Sequence, residues 1–270
     1  MNSGTLDGQV VVVTGGGSGM GASFARRLAS DGARLVINDV NEVAAGQVAS
    51  EVGGEAAIFD VTDSAAFNAA IDRIAEHYGR LDVLINNAGI SMRGLMEDGG
   101  TGIIPVIKKV MDINFYGAVY CTTFALPHLI KSKGVVVGVS SIAGYRGLPG
   151  RSGYSASKFA LQGWLESLKT EVVEKGVHVM WVSPGFTASN IRNVALNKQG
   201  DAQGESPLNE NELMDASTCA NIIISAIAKR KRTVVMTFQG KQTVFLNKFF
   251  PSLADRLVRK FFFKHGELVK

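Results

Sequence analysis

Seven short apolar runs, rich in Val and Ile and not alternating with polar residues, recur along the chain: Val10–Val13, Arg34–Asn38, Ala56–Phe59, Val83–Ile85, Val135–Val139, Val177–Val182 and Thr233–Met236. A strand with one wet face alternates apolar and polar residues. A strand covered on both faces does not, so these runs read as parallel strands lying between two layers of helices. The intervening segments carry helical spacing. Phe24, Ala25 and Leu28 recur within Ala22–Ser30, Asn41–Val52 reads as a helix, and Phe67, Ile71, Ile74 and Ala75 share one face of Ser64–His77. Strands alternating with helices of this length specify βαβ units. The fold predicted is α/β, a doubly wound parallel sheet, and 270 residues of which 46% are hydrophobic suffice for one large core.

Thr14-Gly15-Gly16-Gly17-Ser18-Gly19-Met20-Gly21 stands between the first strand and the first helix. Glycine permits a tight turn and lets a pyrophosphate approach the backbone N–H groups, and the helix N-terminus then stabilises its negative charge. Glycines alone are weak evidence; their placement inside a βαβ unit makes Gly15, Gly17, Ser18, Gly19, Met20 and Gly21 candidate dinucleotide contacts in a Rossmann fold. Asp39 ends the second run. A carboxylate there accepts hydrogen bonds from the adenosine ribose hydroxyls and repels a 2′-phosphate. With no Lys or Arg in the glycine turn or immediately around Asp39, the expected cofactor is NAD rather than NADP. The competing reading of Asp39 is a helix cap.

Tyr154-Ser155-Ala156-Ser157-Lys158 precedes a helical apolar pattern, which puts the phenol and the ammonium one turn apart on one face. An unperturbed phenol titrates at about pH 10, too high for acid–base work near neutrality, and a nearby cation favours its ionised form. By itself the pair is as consistent with an exposed helix face as with catalysis.

Together these motifs resemble the classical short-chain dehydrogenases/reductases, from about Leu6 to Met236. The Thr14–Gly21 turn looks like that family's glycine motif, Asn86-Asn87-Ala88-Gly89 like its NNAG motif, and Pro184-Gly185 like its PG motif. Asp60-Val61 matches the pair that contacts adenine, while Asn87, Ala88 and Gly89 fall beside the cofactor. Asn114, Ser141, Tyr154 and Lys158 fall where the family places its catalytic tetrad; Ser141 is preferred to Ser140 by its spacing from Tyr154. The resemblance implies that Tyr154 is the general acid/base, that Lys158 lowers its pKa and holds the nicotinamide ribose, and that Ser141 orients the substrate oxygen. It implies that Asn114, in a helix irregularity, holds a water in a proton relay. Thr187 and Ser189 compete for the carboxamide contact, with Thr187 favoured. The reaction so implied interconverts a secondary alcohol and a ketone. A sugar-nucleotide epimerase of the extended branch fits less well, because Ser18 replaces its middle glycine and no large C-terminal substrate domain follows. A non-catalytic NAD-binding sensor or scaffold is the third reading, set against it the complete tetrad.

The segments Ser91–Thr101, Ala143–Ser152 and Phe186–Leu213 are expected to build the substrate pocket, and Met92, Leu95, Met96, Tyr145, Leu148 and Phe186 point to an apolar steroid-, retinoid- or lipid-like ligand. A net charge of +4 is too weak a bias for nucleic acid. Four scattered histidines make no metal constellation, and two distant cysteines, Cys121 and Cys219, read as buried thiols of a reducing compartment. The N-terminal stretch has no export-signal pattern, so the expected location is cytoplasmic. The eighteen residues between Asp112 and Lys131 contain no Asp, Glu, Lys or Arg; Asn114, Pro127 and His128 argue for a buried helix rather than a membrane span. That helix and Ser155–Val173 are apolar and rich in small residues, suited to a homodimer or homotetramer interface. Residues 1–240 form the expected catalytic domain. From Lys241 to Lys270 the chain carries seven basic and two acidic residues, with Phe and Leu spaced for two amphipathic helices broken at Pro251. This extension is expected either to pack over the cleft or a neighbouring subunit, or to lie on a membrane surface.

Overall fold

The computed structural model describes residues 6–187, 191–204 and 213–269. The seven runs are strands β1 (Val10–Thr14), β2 (Arg34–Asp39), β3 (Glu55–Ile58), β4 (Val83–Asn86), β5 (Val135–Val139), β6 (His178–Ser183) and β7 (Thr233–Val235). They form one parallel sheet in the order β3-β2-β1-β4-β5-β6-β7. Every residue of β1, β4 and β5 is buried, which is why their sequences do not alternate. Strand order reverses between β1 and β4, opening a crevice at the carboxyl ends of the strands.

The principal helices are α1 (Gly19–Ser30), α2 (Glu42–Val52), α3 (Ser64–Tyr78), α4 (Ile103–Met111), α5 (Gly117–Ser132), α6 (Ser152–Val172), α7 (Ala216–Ala228), α8 (Phe238–Phe249) and α9 (Pro251–Phe262). Residues of β1 feed the two faces in turn. Val11 and Val13 pack with Phe24, Leu28, Ala45 and Ile223 from α1, α2 and α7. Val10 and Val12 pack with Phe67, Ile71, Leu129, Leu161 and Leu165 from α3, α5 and α6. Asn41 and Asp63 begin α2 and α3 by accepting from Ala44 N and Ala66 N at 3.0 Å each, and Gly53 and Gly79 end them in the left-handed region.

The uncharged stretch corrects one expectation. It is a π-helical turn, Asp112–Tyr116, running into α5, and it is buried on one side only. Asn114, Cys121, Ala125 and Leu129 face inward, whereas Tyr116 is 44% exposed. Its outer face lacks charge but not solvent. Among the described residues no helix is long and apolar enough to cross a membrane. Both cysteines are buried and free.

The C-terminal helices break at Pro251, as the sequence predicts, with proline in the first turn of α9 where its missing N–H costs nothing. They lie over two of the expected pocket segments. Arg146 donates to Asn247 Oδ1 at 2.9 Å and pairs with Asp255, Asn247 Nδ2 donates to Tyr145 O at 2.8 Å, and Phe261 stacks on Phe186 at 6.0 Å. A two-stranded hairpin, β8 (Phe263–Lys264) and β9 (Glu267–Leu268), follows, and Leu268 O accepts from Arg93 Nη2.

Candidate active site

A cleft of 540 Å³ occupies the crevice. Of the residues expected at the cofactor, Gly15, Ser18, Gly19, Met20, Asp39, Asp60, Val61, Asn87, Ala88, Gly89, Tyr154, Pro184, Gly185 and Thr187 line it, as does Ser141. Gly17, Gly21, Asn114 and Lys158 are not among the lining residues. Ser189 lies outside the described residues.

At the glycine end, close packing dictates the sequence. A Cβ on Gly21 would stand 2.1 Å from Gly15 O, and Gly15 itself has a φ of +61°. Asn87 Nδ2 donates to Thr14 O at 3.0 Å and Gly15 O at 2.9 Å, while Thr14 Oγ1 accepts from Asn87 N and Ala88 N. These bonds tie the loop after β4 to the end of β1. The first turn of α1 has no side-chain cap and no acidic residue, and its Gly19 and Met20 line the cleft, so that helix end offers backbone N–H donors there. That donor set fits a pyrophosphate. Both Asp39 oxygens are held, Oδ2 by Gly17 N at 3.0 Å and Oδ1 by Asn41 N at 3.1 Å, while the cap of α2 is Asn41 rather than Asp39. A carboxylate so fixed retains lone pairs for a further donor. None of the cleft-lining neighbours Ser18, Met20, Val40 and Asn41 is basic.

At the other end, Tyr154 rises from the first turn of α6 and Ser141 from the loop after β5. Burial pushes the Tyr154 phenol up; the Ser141 hydroxyl as a hydrogen-bonding partner, then the charges of Arg151 and Arg192, pull it back. Ser141 Oγ also accepts from Ala143 N at 3.1 Å. Its neighbour Ser140 is committed elsewhere, accepting from Gln162 Nε2 at 2.7 Å and almost fully buried. Lys158 Nζ donates to Val139 O at 2.8 Å and lies 5.7 Å from the Tyr154 ring centroid. Burial brings its ammonium down to about 8. Asn114 sits in the π-helical turn, accepting from Ile90 N at 2.8 Å and donating to Ile90 O and Ser157 Oγ. The helix irregularity implied by the family resemblance is therefore present at that residue. Thr187 is 5% exposed, and its hydroxyl turns toward Gly185 O at 3.4 Å.

Sequence reasoning passed over Arg151. It lies within the expected pocket segment Ala143–Ser152, three residues before Tyr154, and that spacing was the available signal. Its guanidinium is buried and lies over the Phe262 ring at 5.5 Å, a contact made only once the tail folds back over the cleft.

Known proteins place this geometry. Residues 9–200 match the family model described as short chain dehydrogenase. Dehydrogenase/reductase SDR family member 7B of Mus musculus is 35% identical over 264 residues, spanning 94% of this chain and 81% of that protein. An 11-beta-hydroxysteroid dehydrogenase A of Arachis hypogaea is 34% identical over 260 residues, 92% of this chain and 74% of that one. Among solved structures, a short chain dehydrogenase/reductase from Burkholderia phymatum in complex with NAD superposes with a TM-score of 0.80 at 24% identity, covering 92% of this chain and 96% of its own. The sheet order, the glycine turn and these matches lead to one conclusion: the chain is an oxidoreductase-type Rossmann protein belonging to the short chain dehydrogenase family.

Proposed function

We propose that this chain is an NAD-dependent oxidoreductase that interconverts a secondary alcohol and a ketone on a largely apolar substrate. The observation that carries the reading is one cleft with Ser141 and Tyr154 at one end and uncapped helix N–H groups beside Asp39 at the other. Asp39 without a neighbouring cation favours NAD over NADP, and the Burkholderia phymatum relative was solved with NAD. Gly15 to Gly21 would hold the pyrophosphate, Asp39 the ribose, Asp60 and Val61 the adenine, and Asn87 to Gly89 with Pro184, Gly185 and Thr187 the nicotinamide end. When bound, NAD supplies the hydride acceptor or donor.

Tyr154 Oη takes the hydroxyl proton in oxidation and returns it in reduction. Ser141 Oγ donates to the substrate oxygen and fixes its distance from Tyr154. Lys158 backs this pair, and Asn114 secures the Ile90 backbone and Ser157 at the start of a proton path. Leu148, Phe186, Ile191 and Val194 give the substrate end apolar walls. The test is nicotinamide absorbance with a panel of steroid, retinoid and long-chain secondary alcohols. Tyr154→Phe is expected to bind NAD normally and lose at least about 100-fold in turnover. NAD binding with no turnover in wild type would favour a scaffold, and tighter binding of NADP would overturn the role of Asp39.

The reading extends to the whole chain. Residues 1–240 act as the catalytic unit and 241–270 as an extension that covers it. Tyr116, Tyr120 and Phe159 on the outer faces of α5 and α6 supply the surface for a homodimer or homotetramer. The exposed side of the extension supplies a peripheral membrane contact for a protein of the cytoplasmic side.

A further inference from the structure

Arginines in this fold are generally accounted for. Arg26 pairs with Glu51, Arg80 with Asp82, Arg232 with Glu166, and Arg230 Nη2 donates to Lys133 O at 2.6 Å. Arg151 is different. Its side chain is 9% exposed, Nη1 is fully buried with nothing to donate to, and among the described residues no carboxylate pairs with it. Burial, then the charge of Arg93 and to a smaller extent that of Arg192, bring its guanidinium down to about 10 against the opposing pull of the Tyr154 phenol, so it stays charged at neutral pH. Arg192 Nη2 donates to Thr187 O at 2.7 Å and faces the same cleft. A buried ion without a partner is costly, and folds keep one where a ligand neutralises it.

Arg151 lies three residues before Tyr154 and lines the same cleft, its guanidinium over the Phe262 ring at 5.5 Å, with apolar Leu148 and Phe186 also in the lining. We infer that Arg151 is a substrate-recognition residue, and that the substrate carries an anionic oxygen group, a carboxylate or a phosphate, on an apolar body beside the reacting alcohol. This rests on the placement of the reaction at Tyr154. The planar guanidinium can donate two parallel hydrogen bonds to either group, and burial makes each stronger than it would be in water.

The test measures binding, so it does not depend on turnover. Octanoate, octyl phosphate and octanol, matched in chain length, are titrated calorimetrically into the full chain. At least one anion is expected to bind about tenfold or more tightly than octanol, the range of a charge-assisted hydrogen bond. Which anion prefers the site separates carboxylate from phosphate. In Arg151→Gln the preference disappears, and in Arg151→Lys part of it survives. Arg151→Met, which keeps a flexible apolar stem against Phe262, is expected to melt at or above wild type, since it removes an uncompensated charge. Equal binding of all three probes, no binding of any, or an anion preference that survives in Arg151→Gln overturns the inference. So does a large drop in melting temperature for Arg151→Met, which would make the arginine structural. Failure of the dehydrogenase reading shows itself separately, as absence of nicotinamide turnover with every alcohol.

Discussion

Lys158 shows how a buried charge at the proposed site burdens the fold. Its Nζ donates to Val139 O, and burial holds its ammonium at about 8 instead of the ordinary 10.5. Below pH 8 both folded and unfolded chains carry the proton, and the folded state bears the whole desolvation cost. As pH rises from 8 to 10.5 the folded lysine gives up its proton while the unfolded one keeps it, so stability increases through that window. Lys158→Met is therefore expected to be more stable than wild type below pH 8, by at most about 3 kcal/mol, with the gap closing as pH rises. Melting temperatures of both proteins across that range check it. A variant less stable than wild type at every pH would mean that the Val139 bond outweighs desolvation. The Tyr154-x-x-x-Lys158 spacing was legible in the sequence because it follows from helix geometry. The direction of Nζ toward Val139 was not, since it depends on β5 lying behind the helix. Arg151 was missed for a related reason: its ring contact is with Phe262, more than a hundred residues away in sequence.

At the scale of elements, the π-helical turn Asp112–Tyr116 ties the loop after β4 to α6. It places Asn114 so that one amide satisfies both the N–H and the C=O of Ile90. Asn114→Ala would leave these groups and Ser157 Oγ without that partner, a loss of about 1–3 kcal/mol for each buried group left unsatisfied. We expect the variant to fold with lower stability and to lose catalytic rate more than NAD affinity, because Ile90 and Ser157 lie on the Tyr154 side while the glycine turn is held by Asn87. Denaturant unfolding, NAD titration and turnover separate the three. Equal losses in NAD affinity and rate would show that the turn supports the entire cleft. The strands were readable to within one or two residues because β1, β4 and β5 are covered on both faces. The one-sided burial of α5 was not readable: its outer face carries Tyr116, Thr123 and Pro127 but no charge, and hydropathy alone cannot tell such a face from a buried one.

At the scale of the molecule, two apolar surfaces are exposed among the described residues. On the outer side of α6, Phe159 is 46% exposed, with Tyr116 exposed at the start of α5 and Phe115 packed edge-on to Trp164. Phe159→Glu is expected to convert a dimer or tetramer to monomer by light scattering while leaving the melting transition cooperative. A wild-type monomer would remove the interface.

The second surface belongs to the extension. On α9, Ala254, Val258 and Phe262 turn inward on the body while Leu253 and Leu257, one position back along the helix, turn out. Phe245, Phe249 and Phe250 continue that outer face, each more than half exposed. Helical geometry sets Arg256 and Lys260 along its edge, and Lys248 lies over the Phe249 ring at 5.5 Å. An apolar stripe bordered by cations matches the boundary between acyl chains and anionic headgroups. Because Phe261 of the same helix stacks on Phe186 at the cleft, the stripe would hold the cleft mouth near the lipid, where an apolar alcohol partitions. Full-length protein is expected to sediment with vesicles of phosphatidylcholine and phosphatidylglycerol at low salt. Raising the salt should release it, since screening weakens the cationic contribution. Phe249→Ser with Leu257→Ser changes only exposed side chains; it should abolish sedimentation, each large apolar contact contributing about 1.5–3 kcal/mol if fully buried in the bilayer boundary, and leave the melting temperature unchanged. Protein that ignores these vesicles at low salt, or a double variant that binds them as wild type does, would assign the stripe to a protein partner and remove the membrane from the account of how substrate arrives.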